Sequence, residues 1–207
     1  MKMLSICVVL LLCALTTNAD LILNGDFTDN GTYEQLPTTN MTYWTTWGAS
    51  GWYQDDIDND ASVKFWFHDT GAYQDFSADP GQAYQYSVYA RTWSGDQLAG
   101  MEGYLKAEFF DSVFNRLDAY VVDTFTTNDA VDTWVQLSGM ATAPVGTVYG
   151  RIVLGLQDDG TADNEAGSLY FDDASVIPEP LSAGLLLIGG ATAVAASRKR
   201  RVALPPR

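Results

Sequence analysis

Carboxylates dominate the reactive side chains of this sequence. Its 207 residues include 26 Asp and Glu against 11 Lys and Arg, and His68 is the only histidine. Catalysis of the Ser-His-Asp or Cys-His type would have to use His68, and no GxSxG nucleophile motif is present. A zinc site with several imidazoles is excluded. Carboxylate pairs for glycoside hydrolysis arise by chance in so acidic a chain, and no spacing marks two of them.

The charge balance favours divalent cations as ligands and disfavours nucleic acid. Between residues 20 and 177, five basic residues stand against 25 acidic ones, a formal charge of −20. Affinity for nucleic acid depends on neutralising phosphates with Lys and Arg. Calcium prefers six to eight carboxylate and carbonyl oxygens, which this chain can supply. The EF-hand pattern is absent, because the acidic stretch 55–61 lacks the Gly and the closing Glu of that loop.

Aromatic residues close to arginine form a second group of candidates, with carbohydrate as the ligand. Tyr89, Arg91 and Trp93 alternate along the chain, which places them on one face of a strand. An exposed aromatic ring can stack on the C–H face of a sugar, while Arg, Gln or acids hydrogen-bond the hydroxyls. The same sheet is predicted to carry Trp66, Arg151, Tyr104 and Tyr149.

Two alternatives to this platform stay open. A Trp in a β-sandwich is more often a core residue, and Trp47 and Trp134 are predicted to be buried in the core. The region 30–60 has little regular pattern, and its Trp44, Trp47 and Trp52 are rival platform residues. Loops of that length in compact domains are often functional.

Short segments rich in Val, Tyr, Phe, Thr and Trp contain these candidates, and Gly, Asn, Asp and Pro separate them. This pattern predicts an all-β sandwich or barrel. The predicted strands are residues 21–27, 62–68, 73–77, 83–92, 104–111, 134–141, 148–156 and 168–176. Turns are predicted at residues 79–81, 143–146 and 158–160.

Alternation is clearest in three of these strands. The predicted core faces are Val63, Phe65 and Phe67 in the first, Tyr84, Tyr86, Val88 and Ala90 in the second, and Val148, Ile152 and Leu154 in the third. The opposite positions carry both polar and aromatic side chains, as in antiparallel sheets with one solvent-exposed face.

The N-terminus predicts export. Lys2 precedes an apolar run of about 12 residues and a small residue, Ala19, at a candidate cleavage point, which is typical of a secretory signal peptide over residues 1–19. The run is too short for a membrane span, which needs roughly 20 residues. Cys7 and Cys13 both lie in this segment, so residues 20–177 have neither a disulfide nor a thiolate metal site.

The C-terminus predicts a membrane anchor in three parts. Pro178, Glu179 and Pro180 come first, and an uncharged helix over 181–197 follows. At about 1.5 Å per residue this helix nearly spans the hydrocarbon core. The basic residues Arg198, Lys199, Arg200 and Arg201 belong on the cytoplasmic side, with a short tail over 202–207. The opposing interpretation is a buried core helix, which seldom ends in four bases. The prolines predict an extended, accessible segment outside the membrane.

These three parts, in this order, resemble the PEP-CTERM sorting signal. The resemblance covers about residues 176–201 and includes Ile177-Pro178-Glu179-Pro180. It implies recognition by an exosortase, a membrane transpeptidase of Gram-negative bacteria. It further implies an inner-membrane-anchored precursor, and then a protein of the cell envelope or extracellular matrix in biofilm-forming cells. It implies nothing about the activity of residues 20–177.

The domain between the ends resembles the galactose-binding-like jelly rolls, which include many carbohydrate-binding modules. The resemblance rests on Leu23-Asn24-Gly25-Asp26-Phe27, on residues 79–84, on Trp134 with residues 143–147, and on residues 170–176. It implies a structural Ca²⁺ where the first and last strands meet. By motif position its ligands would be Asp26 and Asp172, with Asp60 as a weaker third; the alternative is that these acids form turns and face water.

The sequence therefore predicts an exported, non-catalytic jelly-roll β-sandwich that binds or structures extracellular polysaccharide. The alternative is an acidic structural matrix protein with no defined ligand, solvated or bridged by Ca²⁺. A hydrolase without recognised motifs is a third, weaker interpretation.

Overall fold

The structure is a computed structural model. It describes residues 19–29, 36–37, 41–48, 51–53, 61–67, 69–161 and 165–180. The signal peptide up to residue 18, Asp60, His68, the predicted 181–197 helix and the basic residues 198–201 lie outside the described residues. The roles assigned to these residues from the sequence stay predictions.

The described residues form eleven strands and no helix. The strands are β1 Leu36–Pro37, β2 Thr45–Trp47, β3 Gly51–Tyr53, β4 Val63–Trp66, β5 Thr70–Ser77, β6 Ala83–Arg91, β7 Met101–Phe110, β8 Arg116–Phe125, β9 Val135–Thr142, β10 Tyr149–Asp158 and β11 Ser168–Pro178. Across the ranges that the structure describes, no helix has the length and apolar character needed to cross a membrane.

Two antiparallel sheets form a jelly-roll β-sandwich. The six-stranded sheet has the order β1-β3-β4-β11-β6-β9, and the five-stranded sheet has the order β2-β5-β10-β7-β8. The all-β sandwich expected from the segment pattern is thereby confirmed. Neighbouring strands in each sheet come from distant parts of the chain, so most contacts link residues far apart in sequence.

The inner faces of the two sheets pack together in one core. All four predicted core residues of β6 are buried, as are Val63, Phe65, Ile152 and Leu154. Two predicted core residues are wrong. Phe67 follows the end of β4 with a φ of +64° and is half exposed, because the left-handed backbone turns its side chain away from the sheet. Val148 precedes β10 and is 38% exposed.

The predicted strand over residues 21–27 is also wrong. Asn24 and Phe27 have φ values of +51° and +52°, which interrupt extended pairing, so this segment bends across the sandwich. It is held by side-chain and backbone hydrogen bonds. The amide of Gln74 bonds both the N–H and the carbonyl of Leu23 at 2.8 Å, and the Leu21 N–H donates to the Val176 carbonyl.

Strand β8 was not predicted. It is an edge strand, its pairing with β7 has two register irregularities, and half of its side chains are exposed. An edge strand pairs with only one neighbouring strand, and here the register of that pairing is interrupted. Such a strand does not require a regular apolar face. Its residues therefore lack the alternation from which the other strands were predicted.

The hydroxyl of Tyr86 is fully buried and has no hydrogen-bond partner among the described residues. Burial raises the pKa of this phenol. Replacing Tyr86 with Phe is expected to raise the free energy of unfolding by about 1 kcal/mol, because a buried unsatisfied hydroxyl costs roughly 1–3 kcal/mol. Tyr84→Phe is the matched control. The Tyr84 oxygen accepts a 2.8 Å hydrogen bond from the Asp79 N–H, so its loss should destabilise by about 1 kcal/mol. Urea denaturation measures the free energy of unfolding of both variants. Equal changes in the two would contradict the conclusion that the Tyr86 hydroxyl is unpaired.

Candidate functional site

The predicted sugar-binding residues lie on two different sheets. Trp66, Tyr89 and Arg91 are on the outer face of the six-stranded sheet, and Trp93 lies in the turn after β6, half exposed. Arg151 is on β10 of the five-stranded sheet. The prediction that all of them share one sheet is therefore wrong, because alternation along a strand indicates the buried side but does not identify the neighbouring strand.

Arg151 lies at the centre of an aromatic surface on the outer side of the five-stranded sheet. The register of β5, β10 and β7 aligns Asp75, Arg151 and Glu108 in one row across the sheet. Side chains two residues away on either side point the same way. We call this surface the aromatic face; its rings belong to Trp47, Tyr73, Tyr104, Phe110, Phe114 and Tyr149.

The guanidinium of Arg151 is enclosed by rings and carboxylates. It lies 3.7 Å from the centroid of the Tyr73 ring and 4.7 Å from that of Phe110. Its Nε and Nη2 donate to the two carboxylate oxygens of Asp75 at 2.6 and 3.1 Å, and Nη1 lies 3.8 Å from Glu108. Two parallel hydrogen bonds together with ring stacking are favourable for arginine and impossible for lysine. Arg151 therefore holds the rings of the aromatic face at defined positions.

Two glycines allow the outer rings of the aromatic face to lie close to the sheet. A Cβ at Gly71 would lie 2.4 Å from the Trp47 indole, and one at Gly155 would lie 2.6 Å from the Tyr104 hydroxyl. Both rings therefore cover backbone instead of standing upright from it. Burial, with smaller effects from the charges of Asp69 and Glu108, raises the pKa of Tyr104 to about 12, so this phenol keeps its proton as a donor.

Phe114 extends the aromatic face from the hairpin between β7 and β8. It is half exposed, its φ is +60°, and its ring stacks on Tyr149 at 4.5 Å with an interplanar angle of 14°. Asp111 holds the turn by accepting hydrogen bonds from the N–H groups of Val113 and Asn115. The side chain of Asn115 and these N–H groups lower the pKa of Asp111. A strained bulky residue with an exposed ring is a feature that clusters at binding sites.

Sequence reasoning missed Tyr73, Phe110 and Phe114 as members of this site. Tyr73 and Phe110 are adjacent to the core residues Ala72 and Phe109, so they occupy outward positions on their strands. An aromatic residue at an outward position is the signal that could have found them. No local pattern marks Phe114.

A pocket of about 150 Å³ opens on the outer side of the six-stranded sheet. Tyr89, Trp134, Asp172 and Asp173 line it, and we call it the Tyr89–Trp134 pocket. The prediction that Trp47 and Trp134 are core residues is wrong, because each is half buried on an outer face. Trp44, in contrast, is buried against Phe27, so it is not a platform residue.

Other predicted residues of this outer face are already covered. Arg91 is only 8% exposed. Lys64 lies 5.0 Å above the Tyr170 ring and 3.6 Å from Asp96. Trp66 is half buried beside Ser168, its partner in the sheet register. Arg91 and Lys64 are therefore engaged by contacts within the protein.

The predicted calcium ligands do not meet in one place. Asp26 lines a pocket of about 290 Å³ with Asp20 and Asp173, whereas Asp172 lines the Tyr89–Trp134 pocket. One carboxylate oxygen of Asp20 already accepts the N–H groups of Ile22 and Val176. In the described ranges no three acidic, His or Cys side chains are grouped to hold a metal. Asp26 and Asp172 alone therefore do not form a calcium site. The calcium prediction depends on oxygen ligands from other residues, such as Asp60.

Chelation tests the calcium prediction directly. If calcium joins the N-terminal segment to β11, EDTA is expected to lower the melting temperature by several degrees, because a ligand that binds only the folded state stabilises it. Added CaCl₂ should restore the original value while MgCl₂ should not, since Mg²⁺ demands a tighter octahedral site. An unchanged melting temperature contradicts the prediction.

The Pro178-Glu179-Pro180 motif continues directly from β11. This strand ends at Pro178, two residues beyond the predicted end, and the extended backbone expected there is present. The Glu179 N–H donates to the Ala83 carbonyl at 2.9 Å, and the Gln82 amide donates to the Glu179 carbonyl at 2.7 Å. Glu179 is thus held at the end of the sandwich, and Pro180 is exposed.

The fold resembles solved structures of different functions. The CBM22-1 xylan-binding domain of Paenibacillus barcinonensis Xyn10C aligns with a TM-score of 0.52 at 15% identity, over 78% of this chain and 95% of that one. The CBM22-1–GH10 modules of Clostridium thermocellum xylanase Xyn10B, complexed with xylohexaose, align with a TM-score of 0.50 at 17% identity, over 67% of this chain. This chain spans only about a quarter (26%) of that xylanase chain.

A cyclase from Fischerella sp. TAU, in complex with 4-(1H-indol-3-yl)butan-2-one, aligns equally well. Its TM-score is 0.50 at 12% identity, over 78% of this chain and 98% of that one. Likeness at such identities shows the jelly-roll fold and no more. No protein-family model and no curated protein sequence matches this chain.

Proposed function

We propose that residues 20–177 bind polysaccharide through the aromatic face and have no catalytic role. The observation that carries this proposal is the arrangement around Arg151, whose guanidinium lies against the Tyr73 and Phe110 rings while the stacked Phe114–Tyr149 pair lies beside it. The partly exposed rings of this face suit stacking against flat sugar rings, namely those of Trp47, Tyr73, Phe114 and Tyr149. Tyr104 and Phe110 are 6% and 7% exposed, so stacking does not depend on them.

The size of the aromatic face suits a chain rather than a single sugar. Gly155, beneath Tyr104, and Tyr149 are six residues apart on β10, or about 20 Å at roughly 3.4 Å per residue. Within the described residues, the hydroxyls of Tyr73 and Tyr149 have no hydrogen-bond partner and can bond to sugar hydroxyls. The xylan-binding and xylohexaose-bound neighbours support the choice of ligand class.

The carboxylates of the aromatic face argue against hydrolysis. Asp75 and Glu108 both contact Arg151, and Glu108 also contacts Arg116 at 3.2 Å. A glycosidase needs one carboxyl that holds a proton and a second that acts as base or nucleophile. The contacts with Arg151 and Arg116 hold these carboxylates in fixed positions, which suits them to structural support of the rings.

Loss of one exposed ring tests the site. The full chain, purified in detergent, is tested against a panel of neutral and acidic polysaccharides that includes soluble xylan. Phe114→Ala is expected to weaken binding to xylan or to another member of the panel by at least tenfold, or about 1.4 kcal/mol. Val113→Ala is the matched control, since Val113 is 72% exposed in the same turn. A panel without any binding, or equal effects of the two variants, would favour the acidic structural matrix protein.

We further propose that residues 178–201 deliver this domain as an exosortase-processed sorting signal. Replacing Pro178, Glu179 and Pro180 together with Ala is expected to leave the uncut precursor in the inner membrane. Replacing Val202, Leu204 and Pro205 together with Ala is the control. Immunoblots of membrane and released fractions measure the outcome, and unchanged release would remove this part of the proposal.

A further inference from the structure

The Tyr89–Trp134 pocket has the chemistry of a second ligand site. Its walls are two aromatic rings, and Asp172 and Asp173 add carboxylate acceptors. Within the described residues, neither the Tyr89 hydroxyl nor the indole N–H of Trp134 has a hydrogen-bond partner. The pocket therefore presents two aromatic rings and the donor groups of Tyr89 and Trp134 beside two carboxylates.

A β-bulge builds the acidic side of the pocket. Successive residues of a regular strand point to opposite faces of the sheet, so two consecutive aspartates should not line one cavity. The pairing of β11 with β6 shifts register between Asp172 and Ser175, and Asp173 has a φ of +50°. Bulges redirect side chains in this way and occur next to functional sites.

A neutral sugar ring can contact the two rings, the two donors and the two carboxylates of this pocket. Its C–H face can pack on a ring, its hydroxyls can donate to the carboxylates, and its oxygens can accept from Tyr89 and Trp134. An organic ammonium ion would use the rings and the carboxylates but leave both donors unpaired, which makes it a poorer match than a sugar. Anionic sugars are disfavoured by the two aspartates. A volume near 150 Å³ suits one six-membered ring.

The pocket and the aromatic face lie on opposite sides of the molecule. The aromatic face belongs to the five-stranded sheet and the pocket to the six-stranded sheet, with the core between them. A sandwich core is about 10 Å thick, so one glycan segment cannot reach both outer surfaces without wrapping round the domain. A ligand on each surface leaves the other accessible.

We propose that the Tyr89–Trp134 pocket binds one neutral sugar ring, so that a single molecule bridges two polysaccharide chains. The bridging rests on the proposed function of the aromatic face, whereas the pocket stands independently of it. One surface holds a chain along its length and the other holds a chain end or a side branch.

Titration of the full chain in detergent with galactose, glucose, mannose and xylose tests the pocket, with isothermal titration calorimetry as the readout. Choline and glucuronate are the counter-probes. The double variant Tyr89→Phe, Trp134→Phe keeps an aromatic ring at both positions and removes both donors, so it should fold and lose at least tenfold in affinity for the bound monosaccharide. Tyr43→Phe, at an exposed position, is the control and should change nothing.

Several results would overturn the pocket assignment: no monosaccharide binding, preference for choline or glucuronate, or equal affinity in the double variant. Loss of monosaccharide binding in Phe114→Ala would place that sugar on the aromatic face instead. Bridging is tested with beads that carry the bound monosaccharide. In the presence of the unaltered protein these beads should capture soluble xylan, or another polysaccharide of the panel whose binding Phe114→Ala weakens. Neither variant should support this capture. Capture by the double variant, or no polysaccharide sensitive to Phe114→Ala, overturns the bridging.

Discussion

Replacing Arg151 with Ala is expected to lower the free energy of unfolding by about 3 kcal/mol. The substitution removes the contacts with the Tyr73 ring and with Asp75, and it leaves Glu108, which is only 9% exposed, beside an empty position. Asp75 then loses both of its hydrogen bonds from Arg151, and losing a bidentate pair together with its ring packing costs more than losing one exposed ion pair. Affinity for polysaccharide should fall as well, because the Tyr73 and Phe110 rings lose the group that orients them.

The matched control is Arg116→Ala. Arg116 contacts the same carboxylate, Glu108, at 3.2 Å, but its side chain is 61% exposed. Exposed ion pairs contribute about 0–1 kcal/mol, so this variant should be near neutral. Guanidinium denaturation measures both, and Arg151→Lys separates charge from geometry by keeping the charge without the two parallel hydrogen bonds. If the two alanine variants destabilise equally, the central role of Arg151 is wrong.

Replacing Gly25 with Ala is expected to destabilise the protein by a similar amount, about 3 kcal/mol. A Cβ at this position would lie 2.1 Å from the backbone carbonyl oxygen of Ala174, and backbone cannot move aside as a flexible side chain can. The clash falls where the Ala174 N–H donates to the Gly25 carbonyl at 2.9 Å. It would separate the N-terminal segment from the bulge of β11 and disturb the buried Phe27.

Asp26→Ala serves as the control for Gly25→Ala. Asp26 is the next residue and is exposed, so in calcium-free buffer its loss should change stability by less than about 0.5 kcal/mol. Thermal and urea unfolding of both variants supply the measurement. A Gly25→Ala protein as stable as the parent would mean that the N-terminal segment does not pack against β11 as described.

Alternation predicted the strands in which the two faces differ in polarity. Tyr84, Tyr86, Val88 and Ala90 alternate with polar residues, and all four are buried. The same rule missed β8, where half of the side chains are exposed, and failed at Phe67, where a positive φ ends the strand geometry. The motif around Gly25 marked a close approach of two chain segments correctly, although its residues form bends instead of the predicted strand.

The sequence by itself determined the fold class, the residues that alternate into the core, and the acidity of the chain. The fold class and the core positions follow from composition and from the two-residue period of a strand, which local sequence contains, whereas the acidity only disfavours nucleic acid as a partner. Export and sorting remain predictions from the two ends.

Only the tertiary structure decided which surface could bind a ligand. Arg151 contacts Asp75 and Tyr73, more than 70 positions earlier in the chain, because β10 pairs with β5. Alternation tells which side of a strand is buried, but strand order depends on how the whole chain packs, and no local pattern contains it. The pocket formed by Asp172 and Asp173 likewise depends on a register shift between two strands.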